Sequence, residues 1–235
     1  MSSVDFRIVD NGDSGFTIFF DESASEPLSR KIIALREVIT DVMGKCLVDV
    51  IPSYQSITVI FSLLELSKSD AKIKLENILK TPIKASNYRS QLLEIPVCYG
   101  GEFGPDLAYL SSHCGLSEKQ IIEQHTQNTY LVHMLGFLPG FLYLGGLNKT
   151  LYCPRKNNPK LRVAKGSVGI GGNQTGIYPI DSPGGWQIIG RTPVPLFYSD
   201  RAQPIFASPL DRIKFVAINH SKYLQLEQEY TAKNR

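Results

Sequence analysis

The segment from Tyr130 to Thr192 constrains the fold most, because it places a glycine every few residues. Three motifs follow one another there: GFLPGFLYLGGL, RVAKGSVGIGGNQTGIYP and DSPGGWQIIGRTP. Ordering glycine costs more backbone entropy than ordering any other residue, so this density indicates tight turns, positive φ angles or backbone that must approach another group closely. We therefore look for functional residues in this segment.

The same region lacks acidic side chains. No Asp or Glu stands between Glu123 and Asp181, whereas six basic residues do, which gives a local formal charge of +6 with histidine neutral. These residues are Lys149, Arg155, Lys156, Lys160, Arg162 and Lys165. Arginine binds carboxylates and phosphates bidentately, and glycine-flanked amides add donors, so a site here favours anions. General-base hydrolysis or Mg²⁺-dependent phosphoryl transfer would need acidic residues from a partner protein.

The composition of the 235 residues is that of a globular protein, with 43% hydrophobic and 20% charged residues. A net charge of +3 is too small to argue for nucleic acid. The amino terminus has no signal-peptide pattern and no apolar run is long enough to span a membrane, so we expect a cytoplasmic protein. The four cysteines have no zinc-ligand spacing, and we expect reduced thiols. They are Cys46, Cys98, Cys114 and Cys153.

Residues 1–90 read as an α/β domain with the element order ββαββα, which predicts an antiparallel sheet covered by two helices. The predicted strands are 4–9, 16–20, 46–52 and 56–62, and the helices follow from PLSRKIIALREVITDVMGK and SDAKIKLENILK. Pro27 suits the first turn of the first helix and Gly44 suits its end. The predicted inward positions are Ile32, Ile33, Leu35, Val38, Ile39, Val42 and Met43 in the first helix and Ile73, Ile78 and Leu79 in the second.

Residues 91–235 form the second predicted domain, after a boundary near TPIKASNYRS. Two short helices are expected at Leu107–Cys114 and Glu118–His125, with Gly115 ending the first and a Ser117–Gln120 capping box starting the second. The remainder predicts short strands separated by Gly and Pro turns, which indicates a closed or nearly closed barrel. The strand candidates are LLEIPVCYGG, YLVHML, RVAKGSVGI, WQIIGRT, PIFAS and RIKFVAI. The predicted fold class is therefore α+β.

Three familiar site patterns fail in this sequence. No phosphate-binding GxxxxGK[ST] loop is present, and VGIGGNQTG has Gln174 at the third glycine position of the dinucleotide motif in a β-rich context. Ser167 and Ser182 stand among glycines without the GxSxG pattern of hydrolases. The helix pair resembles a DNA-binding helix-turn-helix, but its second helix carries Lys119 among acidic residues, so we interpret it as a structural cover.

A polar set on the tight turns remains as the candidate site, together with the basic group. The polar residues are Gln174, Thr175, Tyr178, Ser182, Trp186, Gln187 and Arg191. Structural interpretations stay open for several of these residues: Lys156, Lys160 and Lys165 as a solvated basic loop, Trp186 as a core anchor, and His125 as a helix-terminal interaction.

The motifs IPVCYGGEFGPDL, LSEKQIIEQH and MLGFLPGFLYLGGL, with the segment from PRKNNPKLRVAKGSVGIGG to GGWQIIGRTP, carry a family resemblance. The chain resembles the family of 5-oxoprolinase B subunits, also described as allophanate hydrolase subunit 1 and as the sporulation histidine-kinase inhibitor family. The resemblance spans the chain and is strongest from residue 94 to 218. Two departures, GFLYL for GFPYL and GIGG for GIAG, remove no polar candidate. The resemblance implies an amino-terminal α/β domain and a cyclophilin-like β-barrel domain.

The resemblance also implies an activity. Together with C-type and A-type partner subunits, such a protein opens the lactam of 5-oxo-L-proline to L-glutamate with hydrolysis of ATP, which we expect to bind with Mg²⁺ and with help from a partner. We expect the chain alone to be inactive. The alternatives are a non-enzymatic inhibitor of a histidine kinase and a component of an amidohydrolase for allophanate or urea, since all three substrates present a planar amide.

Roles within this family are assigned here from residue chemistry. Arg162 and Arg191 would hold a carboxylate or phosphate, and His125 would shuttle a proton. Among the substrate-binding candidates, Gln174, Tyr178 and Ser182 would hydrogen-bond the amide. Thr175, Trp186 and Arg155 complete the predicted substrate-binding set, and no metal ligand is predicted.

Overall fold

A computed structural model of the chain describes residues 6–82, 88–201 and 203–233. The chain divides into two compact units, Met1–Tyr88 and Arg89–Arg235. The start of the first predicted strand, Val4 and Asp5, and half of the predicted boundary segment lie outside the described residues.

The first unit has the predicted order ββαββα. Its elements are β1 (Phe6–Asp10), β2 (Gly15–Phe20), α1 (Glu26–Met43), β3 (Leu47–Pro52), β4 (Ser56–Phe61) and α2 (Lys68–Lys80), with a 3₁₀ turn at Gly44–Cys46. The four strands form one antiparallel sheet in the order β1-β2-β4-β3. Alternate residues of β2 and β4 are buried, among them Phe16 and Phe61, whose rings stack with centroids 5.8 Å apart. One face of the sheet therefore forms the core of this unit.

Local signals fix the ends of α1. The Ser25 hydroxyl accepts a hydrogen bond from the Leu28 amide, and Gly44 ends the helix with φ at 49°. Two predicted inward positions are wrong: Val42 is 51% exposed and Ile73 is 56% exposed. In α2 the buried face is formed instead by Ala71, Leu75 and Ile78, whose spacing leaves Ile73 on another face.

In its described residues the second unit has a closed barrel of seven strands, three α-helices and a 3₁₀ turn at Lys149–Leu151. Its elements are β5 (Leu92–Tyr99), α3 (Leu107–Cys114), α4 (Glu118–Gln127), β6 (Thr129–Leu135), β7 (Leu142–Gly145), β8 (Lys160–Val163), β9 (Ser167–Gly171), β10 (Gln174–Ile177), β11 (Ser182–Gly184), β12 (Gln187–Arg191), β13 (Arg212–Ile218) and α5 (His220–Lys233). The barrel order is β10-β7-β6-β13-β5-β12-β9, while β8 and β11 form a separate two-stranded ribbon. The predicted α+β fold with a closed barrel is confirmed.

Several barrel elements differ from the sequence prediction. The candidate RVAKGSVGI splits into β8 and β9 because Gly166 turns the chain with φ at 78°. PIFAS makes only an isolated bridge between Phe197 and Ile205, next to Pro204, which has no amide to extend a ladder. The short strands β7, β10 and β11 and the helix α5 were not predicted.

The helix pair covers the barrel as expected. Gly115 ends α3 in the left-handed conformation, and Ser117 and Gln120 form the predicted capping box, with the Gln120 amide donating to the Ser117 hydroxyl at 3.3 Å. Ile121 and His125 are the buried residues of α4, which packs against β13. No helix within the described ranges is both long and apolar enough to cross a membrane.

Candidate functional site

Glycines in the barrel wall create a flat surface for one aromatic side chain. Val168 and Ile170 of β9 belong to the barrel core, so the alternating Gly169 and Gly171 face the other side of the sheet. A Cβ atom on Gly171 would lie 2.6 Å from the Trp186 indole, and one on Gly176 of β10 would lie 2.9 Å from it. Part of the glycine density therefore serves the close packing of Trp186 on the outside of the barrel.

This packing predicts a large effect for Gly176→Ala. The new methyl group would meet the Leu142 carbonyl oxygen at 2.7 Å as well as Trp186, and the backbone oxygen cannot move away easily. We expect the free energy of unfolding to fall by about 1 to 3 kcal/mol, with a shift in the emission of Trp186, which is the single tryptophan.

Gly185→Ala is the matched control for that substitution. Its Cβ would have no neighbour closer than 3.6 Å, so we expect a change within about 0.5 kcal/mol. Denaturant unfolding followed by tryptophan fluorescence measures both variants. Equal losses of stability in the two would contradict the role of Gly176 as a contact surface for the indole.

Trp186 belongs to an aromatic cluster outside the barrel core, and Phe141 is the centre of that cluster. The Phe141 ring stands nearly perpendicular to both Trp186 and Tyr178, at centroid distances of 5.5 and 5.1 Å. Tyr143 also contacts Phe141, at 4.7 Å. Edge-to-face contacts of this kind hold the rings in fixed orientations, so the cluster forms a rigid surface.

This aromatic surface forms much of the wall of a pocket of about 380 Å³, a volume suited to a small molecule. The Arg155 guanidinium lies 5.6 Å from the centroid of the Trp186 ring. The pocket lining contains no Asp or Glu. Its residues are Phe137, Leu138, Phe141, Tyr143, Arg155, Lys156, Pro159, Tyr178, Ser182, Pro183, Gly184, Gly185 and Trp186.

A buried hydroxyl in the pocket lining lacks a hydrogen-bond partner. Ser182 is 7% exposed, and its Oγ atom has no partner among the described residues. An unpaired buried polar group costs about 1 to 3 kcal/mol, so a ligand in the pocket that reached this hydroxyl would remove that cost. Tyr178 stands close by: a Cβ on Gly184 would lie 2.5 Å from the Tyr178 hydroxyl. Burial raises the pKa of Tyr178, which keeps its hydroxyl protonated.

Two carboxylates outside the acid-free stretch pair with its basic residues. Asp106, at the start of α3, accepts hydrogen bonds from Lys156 Nζ at 2.7 Å and Lys160 Nζ at 3.4 Å. Lys156 is therefore ion-paired and mostly buried, so its interpretation as part of a solvated loop is wrong, whereas the Lys160 side chain is ion-paired but still 39% exposed. Arg155 has no carboxylate partner among the described residues and remains the uncompensated cation of the pocket.

Asp181 pairs with Arg162 in the same way. Arg162 Nε and Nη2 lie 2.9 and 2.6 Å from Asp181 Oδ2, and the Lys165 amide donates to Oδ1. The Lys165 amide and then the Arg162 guanidinium lower the pKa of Asp181. Arg162 is exposed and does not line the pocket.

Arg191 and Gln174 also lie outside the pocket lining. The Arg191 guanidinium lies 5.0 Å from the Phe103 ring centroid, and Phe103 packs against Tyr223 of α5. Gln174 begins β10 and pairs with Gly171 at the tip of the β9–β10 hairpin. The predicted roles of Arg162, Arg191 and Gln174 stay predictions.

His125 and Thr175 form a second, fully buried polar group inside the barrel unit. His125 Nδ1 lies 2.8 Å from the Tyr99 hydroxyl, and Nε2 lies 2.9 Å from Thr175 Oγ1. Because Thr175 Oγ1 donates to the Gly169 carbonyl, it accepts from Nε2–H, and Nδ1 accepts from Tyr99. Burial lowers the pKa of His125 to about 3. Both ring nitrogens are thus occupied in a neutral imidazole, an arrangement that favours a structural role.

The structure therefore gathers four of the predicted residues around one pocket and separates the others from it. Arg155, Tyr178, Ser182 and Trp186 line the pocket. Asp106 was missed, because an Asp before a helix indicates an ordinary N-cap in the sequence, and only the structure shows that its side chain makes no capping hydrogen bond there. Within the described ranges, no group of three or more His, Cys, Asp or Glu residues could hold a metal ion.

Comparison with known proteins agrees with this architecture. The family model of the carboxyltransferase domain, subdomain C and D, matches residues 6–207, which include parts of both units and the whole pocket. The chain thus has the fold of a carboxyltransferase C and D domain.

Curated relatives narrow the class to one family. The chain is 37% identical to the B subunit of 5-oxoprolinase from Bacillus subtilis, over 97% of this chain and 99% of the relative. It is 42% identical to the B subunit of 5-oxoprolinase from Escherichia coli O157:H7, over 87% and 93% of the two chains. The chain therefore belongs to the family of 5-oxoprolinase B subunits, which confirms the resemblance read from the motifs.

Solved structures share the fold. The protein TTHA0988 is 33% identical with a TM-score of 0.76, over 87% of this chain and 40% of the TTHA0988 chain. The chain thus spans about 40% of the length of that protein. The urea amidolyase of Kluyveromyces lactis superimposes over 99% of this chain with a TM-score of 0.85, and at 16% identity it shares the fold alone.

Proposed function

We propose that the chain is the B-type component of an ATP-dependent 5-oxoprolinase that opens 5-oxo-L-proline to L-glutamate in the cytoplasm. The names of its curated relatives support the assignment of this activity, and one observation on this chain supports the assignment of the substrate site. The uncompensated guanidinium of Arg155 lies 5.6 Å from the Trp186 ring centroid in a pocket that also holds the unpaired Ser182 hydroxyl. 5-Oxoproline is a small ring that carries one carboxylate and one amide, and it matches these groups.

In this assignment the chain binds and orients the lactam. Arg155 holds the carboxylate, because a guanidinium pairs with a carboxylate in a bidentate fork. The flat aromatic surface of Trp186 supports the ring, and Ser182 hydrogen-bonds the amide. The buried, protonated Tyr178 hydroxyl is a second donor for the lactam carbonyl. Fixing the amide in one orientation lowers the barrier to its hydrolysis by reducing the entropy lost at the reacting centre.

The same assignment requires partner proteins. The pocket lining has no carboxylate to act as general base, and the described residues contain no cluster suited to Mg²⁺. The described residues therefore do not fit a Mg²⁺–ATP site by themselves, and the steps assigned to this chain involve neither ligand. We infer that A-type and C-type partners supply the nucleotide site and the acidic residues.

Reconstitution tests this function. The chain is co-expressed with its A-type and C-type partners, and ADP release is measured with 5-oxoproline, allophanate and urea as separate substrates. We expect release that depends on 5-oxoproline and on all three proteins. Release with allophanate or urea alone would reassign the substrate, and binding to a histidine kinase without any ADP release would favour the regulator.

Ser182→Ala separates the binding role of the hydroxyl from a role in folding. The unpaired hydroxyl contributes nothing to the free protein, so we expect unchanged or slightly higher thermal stability. In the reconstituted enzyme we expect KM for 5-oxoproline to rise about tenfold, since one hydrogen bond to substrate is lost. Thermal melts and steady-state kinetics measure the two effects, and an unchanged KM would remove Ser182 from the substrate site.

A further inference from the structure

Asp106 and Lys156 form an ion pair at the edge of the pocket. Their side chains are 10% and 19% exposed, and Lys156 lines the pocket while Asp106 does not. The second carboxylate oxygen, Oδ2, accepts a hydrogen bond from the Ile188 amide at 2.8 Å. The carboxylate is thus fixed to β12, two residues beyond Trp186.

This pair determines how much positive charge the pocket offers to a ligand. Two cations line the pocket, Arg155 and Lys156, but the Asp106 carboxylate neutralises Lys156. Lys160 shares the same carboxylate oxygen at the longer distance of 3.4 Å and does not line the pocket. One uncompensated cation is left for the ligand.

We propose that Asp106 is a specificity-determining residue that makes the pocket select a monoanion over a dianion by neutralising Lys156. The inference rests on the proposed function only in taking this pocket as the substrate site. A lactam with one carboxylate satisfies Arg155 alone, whereas a second carboxylate would find its nearest remaining cation already paired. The pair therefore favours the closed lactam over a ring-opened compound with two carboxylates.

Three variants separate charge from folding. Asp106→Asn leaves Lys156 without its carboxylate partner. The side-chain oxygen of the new asparagine can still accept a hydrogen bond from the Ile188 amide. Lys156→Met removes one cation from the pocket lining and leaves Asp106 paired with Lys160 alone. The double variant removes both charges and restores the balance of the wild-type pocket.

Trp186 provides the measurement, because it is the single tryptophan and lies in the pocket wall. The purified full-length chain is titrated with 5-oxoproline, a monoanion, and with glutarate, a dianion, at about 0.1 M salt. A protein charge that is gained or lost at about 8 Å from a ligand charge changes the binding affinity about fivefold for each charge on the ligand. We expect the affinity ratio of glutarate to 5-oxoproline to rise about fivefold in Asp106→Asn and to fall about fivefold in Lys156→Met. In the double variant it should return to within about twofold of wild type.

The decisive result is that this affinity ratio changes in opposite directions in the two single variants. A loss of structure would instead weaken the binding of both ligands in both variants. Shifts of the ratio in the same direction, an unchanged ratio, or no response of wild-type Trp186 to either anion would overturn the proposal. The neutral lactam 2-pyrrolidinone should bind all variants equally. Lys45→Met, which removes a lysine paired with Glu65 in the first unit, should leave both anion affinities unchanged. If the proposed activity fails instead, ADP release is absent from the reconstituted enzyme while this anion selectivity persists.

Discussion

Arg155→Ala is expected to lower kcat/KM for 5-oxoproline in the reconstituted enzyme by about 10- to 100-fold, the cost of losing a hydrogen-bonded charge at the substrate. Arg155 is exposed and has no carboxylate partner in the described ranges, so the substitution should leave the thermal stability unchanged. Arg155→Lys keeps the charge but loses the bidentate fork, and we expect an intermediate rate. Steady-state ADP release measures all three proteins.

Two further variants serve as controls for this result. Arg36→Ala removes an exposed arginine from α1 in the first unit and should leave kcat/KM unchanged. The double variant Arg162→Ala, Arg191→Ala tests the arginines that lie outside the pocket lining, and undiminished activity would remove both from the site. A kcat/KM of Arg155→Ala equal to that of the wild type would contradict the assignment of this pocket as the substrate site.

His125→Gln is expected to change how the stability of the barrel unit depends on pH. Burial lowers the pKa of His125 from its ordinary value of 6.5 to about 3 in the folded protein. Between these values the unfolded chain binds a proton that the folded protein excludes. The free energy of unfolding should therefore fall by about 1.4 kcal/mol per pH unit as the pH drops from about 6.5 towards 3, in total about 4 kcal/mol.

Glutamine cannot titrate, so the part of the free energy of unfolding that falls with the protonation of His125 should be absent in the variant. At pH 7 the variant should be less stable by about 1 to 3 kcal/mol, because an amide does not reproduce both hydrogen bonds of the imidazole. On acidification the two stability curves should converge and then cross, because the wild type loses about 4 kcal/mol and the variant starts only about 1 to 3 kcal/mol below it. Denaturant unfolding followed by Trp186 emission reports on this unit. Parallel curves from pH 7 to 4 would show that His125 is already protonated, or is exposed, in the folded protein.

Local chemistry was enough to predict the first unit. Ser25, Pro27 and Gly44 mark the ends of α1, and alternation in β2 and β4 marks the buried face of the sheet. The barrel was predicted only in outline, because its strands β7 and β10 have four residues each and contain glycine, which weakens any strand signal. The contacts that explain these glycines, Gly176 of β10 with Trp186 and Gly145 of β7 with His133, depend on tertiary structure.

Residue types in the sequence indicated four residues of the candidate site, but the ion pairs around the site could not be predicted from the sequence. Arg155, Tyr178, Ser182 and Trp186 stand out as functional groups among glycine turns. The pairing of Asp106 with Lys156 joins residues 50 positions apart, and that of Asp181 with Arg162 joins residues 19 apart. Charge counted along the chain therefore overstated the positive field of the region, since folding brings carboxylates to three of its cations.

A crystal structure of the reconstituted complex with 5-oxoproline tests the central claim most directly, namely that the pocket beside Trp186 binds the substrate. We expect the ligand carboxylate within about 3.2 Å of the Arg155 guanidinium and an amide atom within about the same distance of Ser182 Oγ. We expect no direct contact between the ligand and His125. A ligand bound away from Arg155, Ser182 and Trp186 would contradict the assignment of this pocket.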